Sequence, residues 1–175
     1  MKRKLITLLM VFVCFIVQTT VWNLFPLGNV KPNLLLILTV SMGLMRGMHT
    51  GLWVGFVSGL TIDIFYGTFF GFNALVYMYL GYINGCFYKV FFDDDIKIPM
   101  VMTAVSGFAY NMINYAVLFL FRQRYEFVAY LTHIILPEIL YTVLCTLVLY
   151  KLFYHINRKL VAGELEDRDS PWLLK

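Results

Sequence analysis

Charge is scarce in this chain of 175 residues: 14 are basic and 10 acidic, 14% in all. A soluble domain carries about a quarter charged residues. With 61% of residues hydrophobic, a soluble protein of this size has too little interior to hide its apolar surface. A cytosolic globular enzyme and a disordered chain are excluded. Cysteine is almost as rare, with Cys14, Cys86 and Cys145 each inside a hydrophobic stretch and no Cys-x-x-Cys pair. That excludes a disulfide-stapled secreted domain and a thiolate metal site, and the three read as small apolar side chains. The net charge of +4 is too small and too dispersed for a nucleic-acid partner.

What is present is long apolar segments. Six can be drawn, at 5–25, 33–46, 51–66, 72–92, 98–121 and 127–154, followed by a short polar tail, 155–175. Nearly all charges fall between them: Lys2, Arg3 and Lys4; Asp93, Asp94, Asp95 and Lys97; Arg122, Arg124 and Glu126; and the tail. A bilayer imposes this partition, because a charge at its centre costs at least a few kcal/mol. The first segment starts like a signal peptide, but it is 21 residues long and no Ala-x-Ala site follows it. It is read as a retained first span. The second and third segments are short against the roughly 20 residues of a crossing helix, and they read as a tight hairpin of two crossings. With both termini in the cytoplasm, 11 of the 14 basic residues lie inside and only Lys31, Arg122 and Arg124 outside, as the positive-inside rule requires. The expectation is an all-α integral membrane protein of six transmembrane helices, forming one domain over 1–154.

Inside the spans a glycine ladder stands out: Gly43, Gly47, Gly51, Gly55 and Gly59, four residues apart. On a helix such residues share a ridge that drifts about 40° per step, and small-residue ridges let backbones approach closely. Packing against the chain's own neighbours is the first reading of Gly51, Gly55 and Gly59, and docking of another protein's helix is the functional one. Gly81 and Gly85 read in the same way. One further step reaches Asp63, which is either a hydrogen-bond anchor, with Asn73, Asn111 and Asn114 as candidate partners, or a proton, cation or ligand site. Glu138 follows Pro137, a helix-kinking position, with His133 nearby. It marks either a substrate site or an acid facing water. Arg46 reads as a snorkelling, topology-setting charge, and Gln18 and Asn23 as interhelical hydrogen-bond groups.

Catalytic patterns fail one by one. Ser58-Gly59 and Ser106-Gly107 lack the preceding glycine of an intramembrane serine protease, having Phe56 and Ala104 instead. His49, His133 and His155 show no metal-ligand spacing. No glycine-rich phosphate loop occurs. The chain reads as a non-enzyme without cofactor or metal.

The order of these features resembles a family. A basic N-terminus leads to Gln18-Thr-Thr, Pro26 and Lys31-Pro-Asn-Leu-Leu-Leu36, then to the ladder Gly43 to Gly59, Asp63, Gly67 and Gly71, and to Leu80-Gly-Tyr82. Over about residues 15 to 85 this is similar to the rod shape-determining protein MreD family. Asn33 departs from the family's usual aspartate, though an amide still accepts hydrogen bonds. The resemblance implies a scaffold of the cell-wall elongation machinery in the bacterial cytoplasmic membrane. Its implied partner is MreC, a single-pass protein. Beyond MreC stand the peptidoglycan glycosyltransferase with its class B penicillin-binding protein and, indirectly, MreB filaments. The Gly51, Gly55 and Gly59 ridge is then the preferred place for the MreC helix. The family also resembles in fold the S components of energy-coupling-factor transporters. That implies an alternative function, a small-molecule-binding subunit using a cavity of Asp63, Asn73 and Glu138, or one holding membrane lipid.

Overall fold

The computed structural model describes residues 2–24, 31–67, 69–90, 96–122 and 130–168. Asp93, Asp94, Asp95, Arg124 and Glu126 lie outside the described residues, as does Pro26. Apart from short connections, at 31–33, 47, 67, 69–71 and 96, the described residues are helical, and none of them forms a strand. The helices are α1 (Lys2–Leu24), α2 (Leu34–Arg46), α3 (Met48–Tyr66), α4 (Phe72–Cys86), α5 (Lys97–Arg122) and α6 (Leu136–Arg168). A short 3-10 turn, Phe87–Val90, extends α4, and a π turn, Leu131–Ile135, leads into α6.

The shortest helix is the centre. In α2 every residue from Leu34 to Leu44 is buried, because Leu-Leu-Leu-Ile-Leu-Thr-Val-Ser-Met-Gly-Leu offers no polar face to turn outward. A helix apolar all round is stable only when enclosed. Helices α1, α3, α4, α5 and α6 pack around it. Its one threonine does not break the pattern, since the Thr39 hydroxyl donates to the Leu35 carbonyl at 2.9 Å.

A single residue joins α2 to α3. Gly47 has φ 86° and ψ 179°, a region that is essentially glycine's alone. Its amide still closes α2 by donating to the Gly43 carbonyl at 2.8 Å. This reversal lays α3 back along α2, and α4 then packs antiparallel on α3.

The glycine ladder lies in that α3–α4 contact. A Cβ on Gly51 would stand 2.2 Å from the carbonyl oxygen of Gly81, one on Gly55 2.2 Å from that of Tyr77, and one on Gly59 2.3 Å from that of Asn73. Each step of four up α3 meets a step of four down α4. From the other side, a Cβ on Gly81 would lie 2.1 Å from the Gly51 oxygen, and one on Gly85 2.3 Å from the Met48 Cα. Gly43 adds α2 to the seam, 3.0 Å from the Gly81 oxygen by the same construction. The ridge expected to dock a partner's helix is therefore covered by α4 of its own chain. The correction has a plain cause: with no side chains on the α3 ridge, and Gly81, Gly85 and Ala74 on α4 beside it, the two backbones meet first.

Pro137, near the start of α6, lacks the N–H that would bond the His133 carbonyl. The chain passes it through the π turn, where the Leu136 amide reaches the Leu131 carbonyl five residues back. Among the described residues, Leu131–Leu160 is the one helix long and apolar enough to cross a bilayer, while Leu5–Thr20 and Leu34–Arg46 are apolar but shorter. At 13 residues, α2 is about 20 Å long against a hydrocarbon core of about 30 Å.

The seam yields a graded prediction. Gly55→Ala forces a methyl into backbone that cannot swing aside, so it should cost at least about 2 kcal/mol, and Gly55→Leu should prevent folding. Gly107→Ala meets only the side chains of Ile139 and Leu36 at 3.6 Å and should be neutral or mildly stabilising. Thermal unfolding in detergent measures the order; equal midpoints for Gly55→Ala and Gly107→Ala would refute it.

Candidate functional site

Helix α4 starts without a capping side chain of its own. Its N-cap is Gly71, in the left-handed region at φ 91°. The first-turn amides of a buried helix need acceptors, since no water reaches them. Asp63 supplies them from α3. Its Oδ1 accepts from the Asn73 backbone amide at 3.2 Å and from Asn73 Nδ2 at 2.9 Å. Its Oδ2 accepts from the Ala74 amide at 2.9 Å. The residue is only 4% exposed, and its negative charge lies where the dipole of α4 favours it. Asn73 passes the connection on: its Oδ1 accepts from the Tyr110 hydroxyl at 2.9 Å. Asp63, Asn73 and Tyr110 thus tie α3, α4 and α5 at one level.

Of the three amides expected near Asp63, only Asn73 hydrogen-bonds to it. Asn111 Nδ2 donates to the Gly107 carbonyl at 3.1 Å and Asn114 Nδ2 to the Tyr110 carbonyl at 2.9 Å, both within α5. Glu138 is half-buried at the start of α6, with Asn111 of α5 nearby. Asp63 and Asn73 form a hydrogen-bonded cluster, whereas Glu138 stands apart from it on α6. His133 is not part of the cluster either, being exposed and paired with the Thr132 hydroxyl at 2.9 Å.

Helix α2 is fastened in the same manner. Asn33 Oδ1 accepts from the Leu36 amide at 3.1 Å, so its side chain caps the helix. Gln18 of α1 accepts from the Leu35 amide at 3.2 Å. The Asn33 amide donates to the Thr142 hydroxyl of α6 at 3.2 Å, and that hydroxyl donates to the Glu138 carbonyl at 2.6 Å. Asn23 is helical, at the end of α1.

At the opposite end of α2, Arg46 is not the snorkelling charge expected. Its Nε donates to Asn157 Oδ1 at 2.6 Å and its Nη1 to the Thr7 hydroxyl at 2.9 Å, so it clamps α1 and α6 to α2. Beside it a groove of about 520 Å³ opens between α1 and α3. Asp63, Asn73 and Glu138 do not line this groove.

Three partnerships are not foreseen by the sequence reading. They are the bond from Tyr110, the Asn84–Ser106 bond at 2.8 Å, and the joining of Thr7 and Asn157 through Arg46. A signal for the first two is present in α5, where Thr103, Ser106, Tyr110 and Asn114 recur at three- and four-residue spacing, a polar stripe turned inward. Nothing in the sequence points Thr7 and Asn157 at each other across 150 residues.

The anchoring role of Asp63 can be measured. Asp63→Leu leaves the amides of Asn73 and Ala74 buried without acceptors and should cost about 3 kcal/mol or more. Asp63→Asn, keeping one acceptor oxygen, should cost about half as much. Chemical denaturation of the purified protein reads both; unchanged stability would assign the acid to a ligand instead.

No curated protein and no solved structure gives a significant match to the chain. The expected likeness to transporter S components therefore has no structural counterpart. The family model for the rod shape-determining protein MreD matches residues 1–160. Since that match covers the glycine seam, the Asp63 anchor and residues from all six helices, the chain belongs to the rod shape-determining protein MreD family.

Proposed function

We propose that this chain is a non-enzymatic scaffold of the cell-wall elongation machinery, binding MreC in the cytoplasmic membrane and so regulating peptidoglycan synthesis. The observation that carries the reading is the family match over residues 1–160. The distribution of side chains supports it. The outside of the bundle is apolar, with Val148 73% and Leu5 68% exposed, while Thr39, Ser58, Asp63, Asn84, Ser106 and Thr146 are buried. Large apolar side chains on the outside, with polar groups buried beside an apolar centre, suit six helices standing in lipid. The charge asymmetry of the chain orients both termini to the cytoplasm. Short α2 meets no lipid, because its neighbours enclose it, and its length is no obstacle to the two-crossing hairpin.

With the glycine seam closed, the MreC helix docks on an outer face of large side chains. The interhelical bonds of Asp63, Asn73, Asn84, Ser106 and Tyr110 hold the bundle in one shape for that partner to read. In the elongation machinery MreC links this scaffold to the glycosyltransferase and class B penicillin-binding protein, and MreB filaments connect indirectly.

Depletion in a rod-shaped host should round the cells, and the purified full-length protein should retain MreC. Normal shape after depletion would refute the function. For the topology, a periplasmic phosphatase reporter fused after Lys175 should be inactive and one placed between residues 67 and 71 active. The opposite pattern would overturn the orientation.

A further inference from the structure

The groove between α1 and α3 has two chemically different ends. At one end stand Arg46, His49 and Thr50, beside Thr7; further along, the walls are Leu8, Val11, Trp53 and Val57. From His49 to Val57 is about 12 Å along the helix axis. No carboxylate is among the residues lining it. Arg46 is held in place there by Asn157 and Thr7, so its positive charge has a fixed position beside the groove. His49 is exposed and Thr50 half-buried, both reachable from outside. The polar end lies where α2 turns into α3 at Gly47, and Lys2, Arg3 and Lys4 precede Thr7 on α1. With both termini in the cytoplasm, that end is at the headgroup level of the cytoplasmic leaflet, where anionic lipids concentrate and basic pockets between helices hold their headgroups.

We propose that this groove is a binding site for an anionic phospholipid, with the phosphate against Arg46, His49 and Thr50 and an acyl chain along Leu8, Val11, Trp53 and Val57. A cationic end and an apolar length in one groove match a lipid with a negative headgroup. A neutral lipid or a plain apolar helix would use only the second part. The proposal rests on the membrane orientation and not on MreC binding, so it stands or falls apart from the shape-determining role.

The test uses the full-length protein in a neutral detergent, titrated with phosphatidylglycerol or phosphatidylcholine. Thermal unfolding reports stabilisation, and native mass spectrometry counts bound lipid. Phosphatidylglycerol should raise the unfolding midpoint and remain bound as one molecule, and phosphatidylcholine should do neither. His49→Glu places a like charge beside the phosphate at an exposed position and should weaken phosphatidylglycerol binding about fivefold. Thr50→Phe, which fills the groove, should abolish the tightly held molecule. Arg46→Gln should also abolish it, but that variant loosens α1 and α6, so His49→Glu and Thr50→Phe are the deciding substitutions. Equal stabilisation by the two lipids would overturn the site. So would phosphatidylglycerol binding unchanged in both His49→Glu and Thr50→Phe. A change of oligomeric state in Thr50→Phe with the lipid response intact would overturn it as well, assigning the groove to a second copy of the chain.

Discussion

The backbone-to-backbone contact of α3 and α4 is the constraint on which the rest of this structure depends. Helices separated by ordinary side chains cannot bring a carboxylate on one within hydrogen-bond distance of amides on the other unless a long side chain reaches across. Here Gly51, Gly55 and Gly59 remove the spacers, and a short acid suffices. The next four-residue step after Gly59 is Asp63, and the antiparallel register sets it opposite the first turn of α4. One periodicity therefore supplies both the approach and the lock. Without the approach Asp63 would be a buried charge with no partner, which a bilayer interior does not tolerate.

The same logic explains why so many polar side chains are turned inward. A buried helix terminus must be satisfied by protein, and three of the connections here are answered by a neighbour: Asp63 for α4, Gln18 for α2, Thr142 for the amide of Asn33. These bonds add little net energy one at a time. Their effect is on specificity, because a helix rotated by one position would lose its acceptor and leave amides buried and unmade. Van der Waals contact along the glycine seam provides the attraction, and the polar contacts select the register.

How far the sequence could be read follows from which forces act locally. The all-helical class, the number of helices and the family were legible because hydropathy and ordered motifs are properties of short stretches. The ladder was legible as a ridge, and Asp63 as either an anchor, with Asn73 among its candidate partners, or a ligand site. Packing against the chain's own helices was the first reading of that ridge, but α4 as the neighbour was not legible: a stripe of glycines records that something comes close without recording what. The place of α2 was hidden for a related reason. An all-apolar segment has no periodicity to distinguish a lipid-facing helix from an enclosed one, and its 13 residues read as a length problem when they are a consequence of enclosure. Arg46 shows the same limit, since its partners Thr7 and Asn157 are distant in sequence and unremarkable alone.

How the protein can act is limited by the same interior. A bundle whose buried acid Asp63 already meets three protein donors is poorly suited to moving ions through that point, because the carboxylate would have to leave partners that are not easily replaced. Surfaces remain: large apolar side chains outside, and a charged, half-open groove at one end. A shape-determining role then requires the bundle to be rigid more than reactive. It follows that loss of shape on substituting a seam glycine reports on folding first. Such a variant informs on partner binding only where the inserted protein is shown to be present in undiminished amount, whereas substitutions on the outer faces test partner binding directly.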